Sequence, residues 1–299
     1  MSSTRNNQAR LDTTSVDEAP QPAKETKKEQ AASLSFAVPT EFVDLPSRGL
    51  YYPEGHPLHG VESIEIKHMT AKEEDILSSE TLIKKGVAID RMLQSVMIDK
   101  AIKISDMLIG DKNALTVAAR VTGYGAEYET RLACPSCDSE QEFEFDLGDL
   151  EFVGASFDDR SELNNLLDGV EITDDNTFII TLPKSNHSVE LKMLTGADED
   201  KLNKFQNKKI KSQKDKLLPT TLLTDTLKMV IISVSGVKSR DQINQFVDNM
   251  PAMDSRYLRG VYQKLAPNID MTQTFVCGDC GHEQDLEVPV TTDFFWPRQ

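Results

Sequence analysis

Four cysteines in two Cys-x-x-Cys pairs are the residues of this sequence whose types and spacing most clearly predict chemistry. The pairs are Cys134 with Cys137 and Cys277 with Cys280. Two residues between ligands allow a tight turn to point both thiolates at one ion, and Gly281 after the second pair eases such a turn. Four thiolates are the ligand set of a structural zinc site. The sequence therefore predicts one structural Zn²⁺ per chain, held by these four cysteines.

Other chemistry for the cysteines fits the pattern less well. A thioredoxin-like redox pair begins a helix in a βαβ unit, whereas strand-like alternation flanks both pairs here. An iron–sulfur cluster also takes four thiolates and stays an alternative. Catalytic zinc is not expected, because four thiolates leave no position for water. His282, beside the second pair, is either a hydrogen-bond donor to the site or an exposed neutral histidine.

No catalytic pattern accompanies the cysteines. The sequence lacks a Walker loop, GxSxG, HExxH and a spaced glycine fingerprint. His56 and His59 share a loop, but no third metal ligand is evident near them. We therefore predict that the protein is not an enzyme and binds no small-molecule substrate. An enzyme with an unrecognised site near these histidines is the alternative.

Charge and hydropathy restrict the partners. The 299 residues carry a formal net charge of -16, which repels phosphate backbones and argues against nucleic acid. A zinc-ribbon nucleic-acid adaptor is the alternative function, favoured by the cysteine pairs and opposed by the charge. Apolar runs such as 229–234 are too short to cross a bilayer, and the N-terminus has no signal-peptide pattern, so we expect no membrane partner. A reducing cytoplasm is the expected compartment.

The elements that must position the cysteines indicate an α+β fold, in which a helical part combines with β-hairpins that form a four-cysteine, zinc-ribbon-like unit. Period-two alternation predicts strands over 124–133 and 141–147 around the first pair, and further strands around the second pair. Helical periodicity predicts helices over about 70–83, 89–97, 112–122, 219–231, 240–249 and 254–265.

These patterns divide the chain into five regions. The predicted regions are a disordered tail (1–35), an extended arm with helices (36–123), a β-rich region with the first cysteine pair (124–194), a second helical region (195–267), and C-terminal strands with the second pair (268–299). The last region is expected to pack on 124–147. The tail prediction rests on a polar composition that cannot bury enough surface to offset ordering entropy.

Several segments in a shared order resemble the baseplate hub and hub-assembly proteins of T-even-type contractile-tailed phages. They are residues 45–54 (LPSRGLYYPE), 69–77 (MTAKEEDIL), 108–114 (LIGDKNA), 134–137 (CPSC), 250–259 (MPAMDSRYLR) and 293–297 (DFFWP). The resemblance implies a non-enzymatic hub component or assembly chaperone whose partners are other baseplate hub proteins. It also implies a location in the host cytoplasm during assembly, or in the tail baseplate of the virion.

Two aromatic clusters are candidates for binding those partners, because aromatic side chains dominate interface hot spots. Tyr51 and Tyr52 lie in the Gly- and Pro-rich arm 45–53, and we predict that they dock on a partner. Phe294, Phe295 and Trp296 end the chain; they either pack on the C-terminal strands or anchor a partner. For Trp296 the core role is preferred.

Overall fold

The computed structural model describes residues 37–154, 169–212, 221–290 and 292–295. The chain divides into two units, Met1–Ala37 and Val38–Gln299, and the architecture below is that of the second unit. The predicted tail over 1–35 and the predicted core residue Trp296 lie outside the described residues.

Helices and small antiparallel sheets make up the fold, so the predicted α+β class is confirmed. The helices are α1 (Ala71–Ser78), α2 (Glu80–Lys85), α3 (Ala88–Val96), α4 (Ile109–Tyr124), α5 (Gly196–Ser212), α6 (Leu222–Val230), α7 (Arg240–Asp248) and α8 (Ala252–Leu265). Short 3-10 helices occupy Ile104–Asp106 and Thr292–Phe295.

The strands pair only in antiparallel fashion within the described ranges. They are β1 (Thr40–Asp44), β2 (Ser63–Lys67), β3 (Glu127–Ala133), β4 (Glu140–Asp146), β5 (Phe152–Val153), β6 (Val170–Ile172), β7 (Phe178–Thr181), β8 (Ser188–Leu191), β9 (Ile231–Val234), β10 (Asn268–Ile269), β11 (Thr272–Val276) and β12 (Glu283–Glu287). The largest sheet has the order β6-β7-β8-β9. The pairs β1-β2, β3-β4, β5-β10 and β11-β12 form two-stranded sheets.

Two predicted helices are corrected by the structure. The helix predicted over 70–83 is interrupted at Ser79, whose extended backbone (φ -67°, ψ 105°) separates α1 from α2. The helix predicted to reach Ile231 ends at Val230, and the following β-branched residues pair with β8 instead. A continuous apolar run carries no period that would distinguish helix from strand, which explains the second error.

One hydrophobic cluster draws on nearly every element, from Val43 in β1 to Phe295 near the C-terminus. A second, small cluster surrounds the cysteine pairs and contains Cys134, Phe275 and Cys277. The arm is not detached: Leu45 in the arm and Leu58 shortly after it are fully buried in the main cluster. No helix in the described ranges has the length and apolar character needed to span a membrane.

Candidate functional site

Each cysteine pair lies in the turn of a two-stranded hairpin, β3-β4 for the first pair and β11-β12 for the second. The backbone hydrogen bonds of the two turns are the same. The N–H of the first cysteine donates to the carbonyl five residues later, and its own carbonyl accepts from the N–H four residues later, at 2.8–3.0 Å. The two turns therefore present their thiols with one common geometry.

The residue after each second cysteine adopts a left-handed backbone. Gly281 has φ 68°, as expected from its position, and Asp138 has φ 55° at the equivalent position of the first turn. Glycine takes this conformation without steric cost, and aspartate tolerates it better than most residues. The first turn therefore has the same backbone shape as the second, although no glycine in its sequence indicates this.

The two turns face one another, so all four Sγ atoms lie within 4.8 Å of one another. The Sγ atoms of Cys134 and Cys280 are 3.8 Å apart, as are those of Cys137 and Cys277. A disulfide would require about 2.05 Å. Sulfurs bound tetrahedrally at about 2.3 Å from one ion would be separated by about 3.8 Å. The four thiols could therefore hold one metal ion.

The cysteines of the cluster differ in burial and in the pKa values of their thiols. Cys134 and Cys277 are buried, whereas Cys137 and Cys280 are exposed. The backbone N–H of Cys280 lowers the pKa of Cys277 to about 6, with a further contribution from the N–H of Asp279. The backbone at Ser139 acts to lower the pKa of Cys137, but hydrogen bonding with the neighbouring thiols, Cys280 first, raises it to about 12. A cation coordinated by the four sulfurs would stabilise them as thiolates.

Side chains between the hairpins add contacts beyond the cysteines. The rings of Phe143 and Phe275 meet edge to face, with centroids 5.3 Å apart. The N–H of Asp146 donates to Oε1 of Gln273 over 3.0 Å, and Nε2 of Gln273 donates to the Asp146 carbonyl. His282 is half-buried, and its Nε2 lies 3.3 Å from Oε1 of Gln284.

The predicted docking role of Tyr52 is corrected by its burial. The side chain is 2% exposed, and its hydroxyl donates to Oδ2 of Asp111 over 2.7 Å while accepting the N–H of Leu108 over 2.9 Å. The hydroxyl is therefore satisfied inside the protein. A buried, fully hydrogen-bonded tyrosine offers no surface to a partner.

Asp111 fixes the arm to the start of α4. It accepts the N–H of Ser47 over 2.9 Å and the Ser47 hydroxyl over 2.6 Å, in addition to Tyr52. Burial raises the pKa of Asp111, although these hydrogen bonds act in the opposite direction. Two segments that carried the resemblance, 45–54 and 108–114, thus meet at one buried carboxylate.

Tyr51, the neighbour of Tyr52, retains an accessible edge. Its ring lies 5.6 Å from that of Phe178, and burial raises the pKa of its hydroxyl. Together with Leu50 and Pro53, it lines a cavity of about 660 Å³. Docking through Tyr51 stays a prediction.

Two histidines that follow the arm pack on Tyr52. The His56 ring stacks on the Tyr52 ring at 4.6 Å, and Nδ1 of His59 lies 2.7 Å from the Tyr52 carbonyl oxygen. Burial lowers the pKa of His56. In the part of the chain that the structure describes, the cysteine cluster is the only group of three or more side chains that could hold a metal.

Phe294 and Phe295 are buried, at 0% and 1% exposure, which favours the packing alternative over their listing as partner-binding residues. The Phe294 ring meets the Tyr128 ring edge to face at 5.2 Å. The buried Arg120 donates through Nε to the Phe294 carbonyl over 2.6 Å, and through its other nitrogens to the carbonyls of Gly125 and Glu127. Phe294 and Phe295 therefore pack in the core.

The buried carboxylates of the described residues all occupy the same position within their helices. Glu73, Asp111, Asp198 and Asp254 are each the third residue of a helix, and each is at most 3% exposed. Glu73 forms a capping box with Thr70, whose N–H and hydroxyl both donate to its carboxylate. The helix predicted from Asp254 begins two residues earlier, at Ala252, with Pro251 as its N-cap. Asp254 instead accepts the N–H groups of Lys184 and Ser185 in the β7-β8 turn.

Comparison with known proteins gives one family. Residues 39–296 match the family described as T4 bacteriophage base plate protein. No curated protein and no solved structure matches the chain.

Proposed function

Because the chain belongs to the T4 bacteriophage base plate protein family, we propose that it helps to build the baseplate hub, as a hub component or as an assembly chaperone. The observation that carries this proposal is the extent of the match, which covers residues 39–296. The protein acts by contact with other hub proteins and catalyses no reaction. It works in the host cytoplasm during assembly or in the tail baseplate.

We further propose that the four cysteines bind one structural Zn²⁺. The support is the pair of 3.8 Å Sγ separations, which fit a tetrahedral four-sulfur shell. Zinc supplies the positive charge that allows four neighbouring thiols to be thiolates. The two hairpins would then behave as one zinc-ribbon-like unit joining positions 140 residues apart in sequence.

The surface of the protein favours contacts with other proteins over contacts with nucleic acid, membranes or small molecules. A net charge of -16 opposes binding to phosphate backbones. The cavity beside Tyr51 is lined by apolar residues and by Glu54, Asp174 and Asp175, which favours a basic or neutral partner segment.

Mass spectrometry of purified phage particles and of isolated hub intermediates tests this role. A hub component is expected in both samples, and an assembly chaperone in the intermediates alone. Absence from both samples, in an infection that expresses the protein, would refute the proposed role.

A further inference from the structure

A second cleft lies on the side of the fold formed by α5, α6 and α7, and it is separate from the cysteines and from the arm. Its volume is about 490 Å³. The buried Leu202 and the half-buried Met229 provide an apolar lining, and Phe205, 54% exposed, stands at the same cleft. An exposed aromatic ring beside an apolar cleft is typical of an interaction site.

The apolar surface extends along α6. Leu222 is 53% exposed and precedes Met229 by seven residues, which places both on one face of the helix. The apolar strip therefore runs beyond the cleft toward the start of α6. A strip of this kind suits an extended or helical segment better than a compact small molecule.

The charge of the cleft is opposite to that of the protein. The cleft is lined by four cations and by the carboxylates Asp198 and Asp225, so its lining carries a net charge of about +2. The cations are Lys192, Lys201, Lys228 and Arg240. The whole chain carries -16. The apolar surface thus lies in a locally positive region of an acidic protein.

Arg240 is the cation best placed to bind a carboxylate from outside. Its Nη1 donates to the carbonyls of Lys228 and Ile231, at 2.6 and 3.1 Å, which fixes the guanidinium at the end of α6. No carboxylate of the described residues pairs with it, whereas Lys228 pairs with Asp248 and Lys192 with Asp198. A fixed guanidinium with free N–H groups favours bidentate binding of a carboxylate.

We propose that this cleft binds an acidic segment of another baseplate protein, with a large apolar side chain inserted beside Phe205 and a carboxylate on Arg240. The proposal rests on the proposed function, because it takes the partner from the same assembly. Charge complementarity identifies the occupant: a basic or neutral segment would not gain from the positive lining.

An array of overlapping peptides, covering the other tail proteins of the same phage and this chain itself, tests the proposal with the full-length, zinc-loaded protein as probe. We expect the bound peptides to be acidic and to contain an aromatic or large aliphatic residue. The affinity of the best peptide is then measured by fluorescence anisotropy at two salt concentrations, with weaker binding expected at high salt.

Two cleft variants and one control variant decide whether the peptides bind in this cleft. Phe205→Ala and Arg240→Glu should each weaken peptide binding at least about tenfold. Arg259→Glu should leave it unchanged; Arg259 is also an exposed helical arginine that donates to a main-chain carbonyl, that of Ser255. Because Arg240→Glu removes internal hydrogen bonds, Phe205→Ala, at a position that is 54% exposed, provides the second test, and thermal melts of both variants show whether each is folded.

The proposal is overturned if no peptide of another tail protein binds, if the bound peptides are basic, or if the cleft variants bind as well as the control. Binding by a peptide of this chain alone, or a dimer lost in Phe205→Ala, would assign the cleft to self-contact and likewise overturn it. Each of these results is independent of whether the protein is found in hub intermediates, so the two proposals can fail separately.

Discussion

At the residue scale, buried carboxylates at the third helical position link segments that are distant in sequence. A carboxylate in the first turn of a helix is favoured by unpaired N–H groups and by the helix dipole. Three of the four also accept donors from distant segments: Asp111 from the arm, Asp254 from the β7-β8 turn, and Glu73 from Ser95 in α3. These residues fix where the helices lie relative to the turns.

Replacing Asp111 with alanine should lower the free energy of unfolding by about 3 kcal/mol or more, because the donors of Ser47 and Tyr52 lose their buried acceptor. Urea unfolding at pH 7 measures the change. The matched control is Asp241→Ala, an exposed carboxylate in the first turn of α7, for which we expect less than about 1 kcal/mol. Equal losses in the two variants would contradict the anchoring role.

Glu73 should make stability depend on pH. Burial acts to raise its pKa, but hydrogen bonds from Lys67, Ser95 and Thr70 outweigh it and lower the pKa to about 2. Its stabilising contribution is therefore present above the unfolded pKa, about 4.3, and is lost as pH falls toward 2. Since Lys67 is partly exposed, screening reduces the contribution to about 2 kcal/mol.

This pH dependence is tested by urea unfolding of the wild type and of Glu73→Gln between pH 7 and pH 2.5. The wild type should be more stable at pH 7, and the difference should shrink steadily below pH 4.5. A difference that stays constant over the whole range would show that the carboxylate charge is not the cause.

At the element scale, hairpins and long amphipathic helices could be predicted from the sequence, because their periods are visible locally. The β3-β4 strands and α8 fall close to their predicted limits. The two-residue strands β5 and β10 could not be predicted, because they exist only through their pairing with each other. Tyr52 was misassigned because the Gly- and Pro-rich arm shows no local pattern, while its buried acceptor Asp111 lies 59 positions away.

The left-handed residue of the second cysteine turn gives a prediction for that element. Gly281→Ala should destabilise the protein by about 1 kcal/mol through backbone strain alone, because an added Cβ would meet no neighbour. Gly260→Ala is the control: it lies in α8 with equally open space, and alanine there should stabilise the helix by about 0.5–1 kcal/mol. Thermal melts giving the same sign for both substitutions would contradict the turn geometry.

At the scale of the whole molecule, contacts distant in sequence join the C-terminal region to the middle of the chain. One is the cysteine cluster between the hairpins β3-β4 and β11-β12. Another is Arg120, whose guanidinium binds the carbonyl of Phe294 together with those of Gly125 and Glu127. Neither of these long-range contacts follows from local sequence patterns, although the paired cysteines gave a chemical reason to expect the cysteine cluster.

Arg120→Met should destabilise the protein by about 3 kcal/mol, since a side chain of similar length leaves the buried Phe294 carbonyl and two partly buried carbonyls without their donor. We also expect faster proteolysis near the C-terminus than in the wild type. Arg131→Met, which removes an exposed pair with Glu142, should change stability by less than about 1 kcal/mol. Unchanged C-terminal proteolysis in Arg120→Met would exclude Arg120 as the tie.

The most direct test of the central claim is the metal content and sulfur coordination of the purified protein, from elemental analysis combined with X-ray absorption at the metal edge. The cysteine geometry predicts about one zinc per chain, bound by four sulfurs at about 2.3 Å. Cys277→Ser should retain less zinc and expose the C-terminal hairpin to protease. A wild-type protein without zinc, or one that contains iron with visible absorbance, would contradict the account.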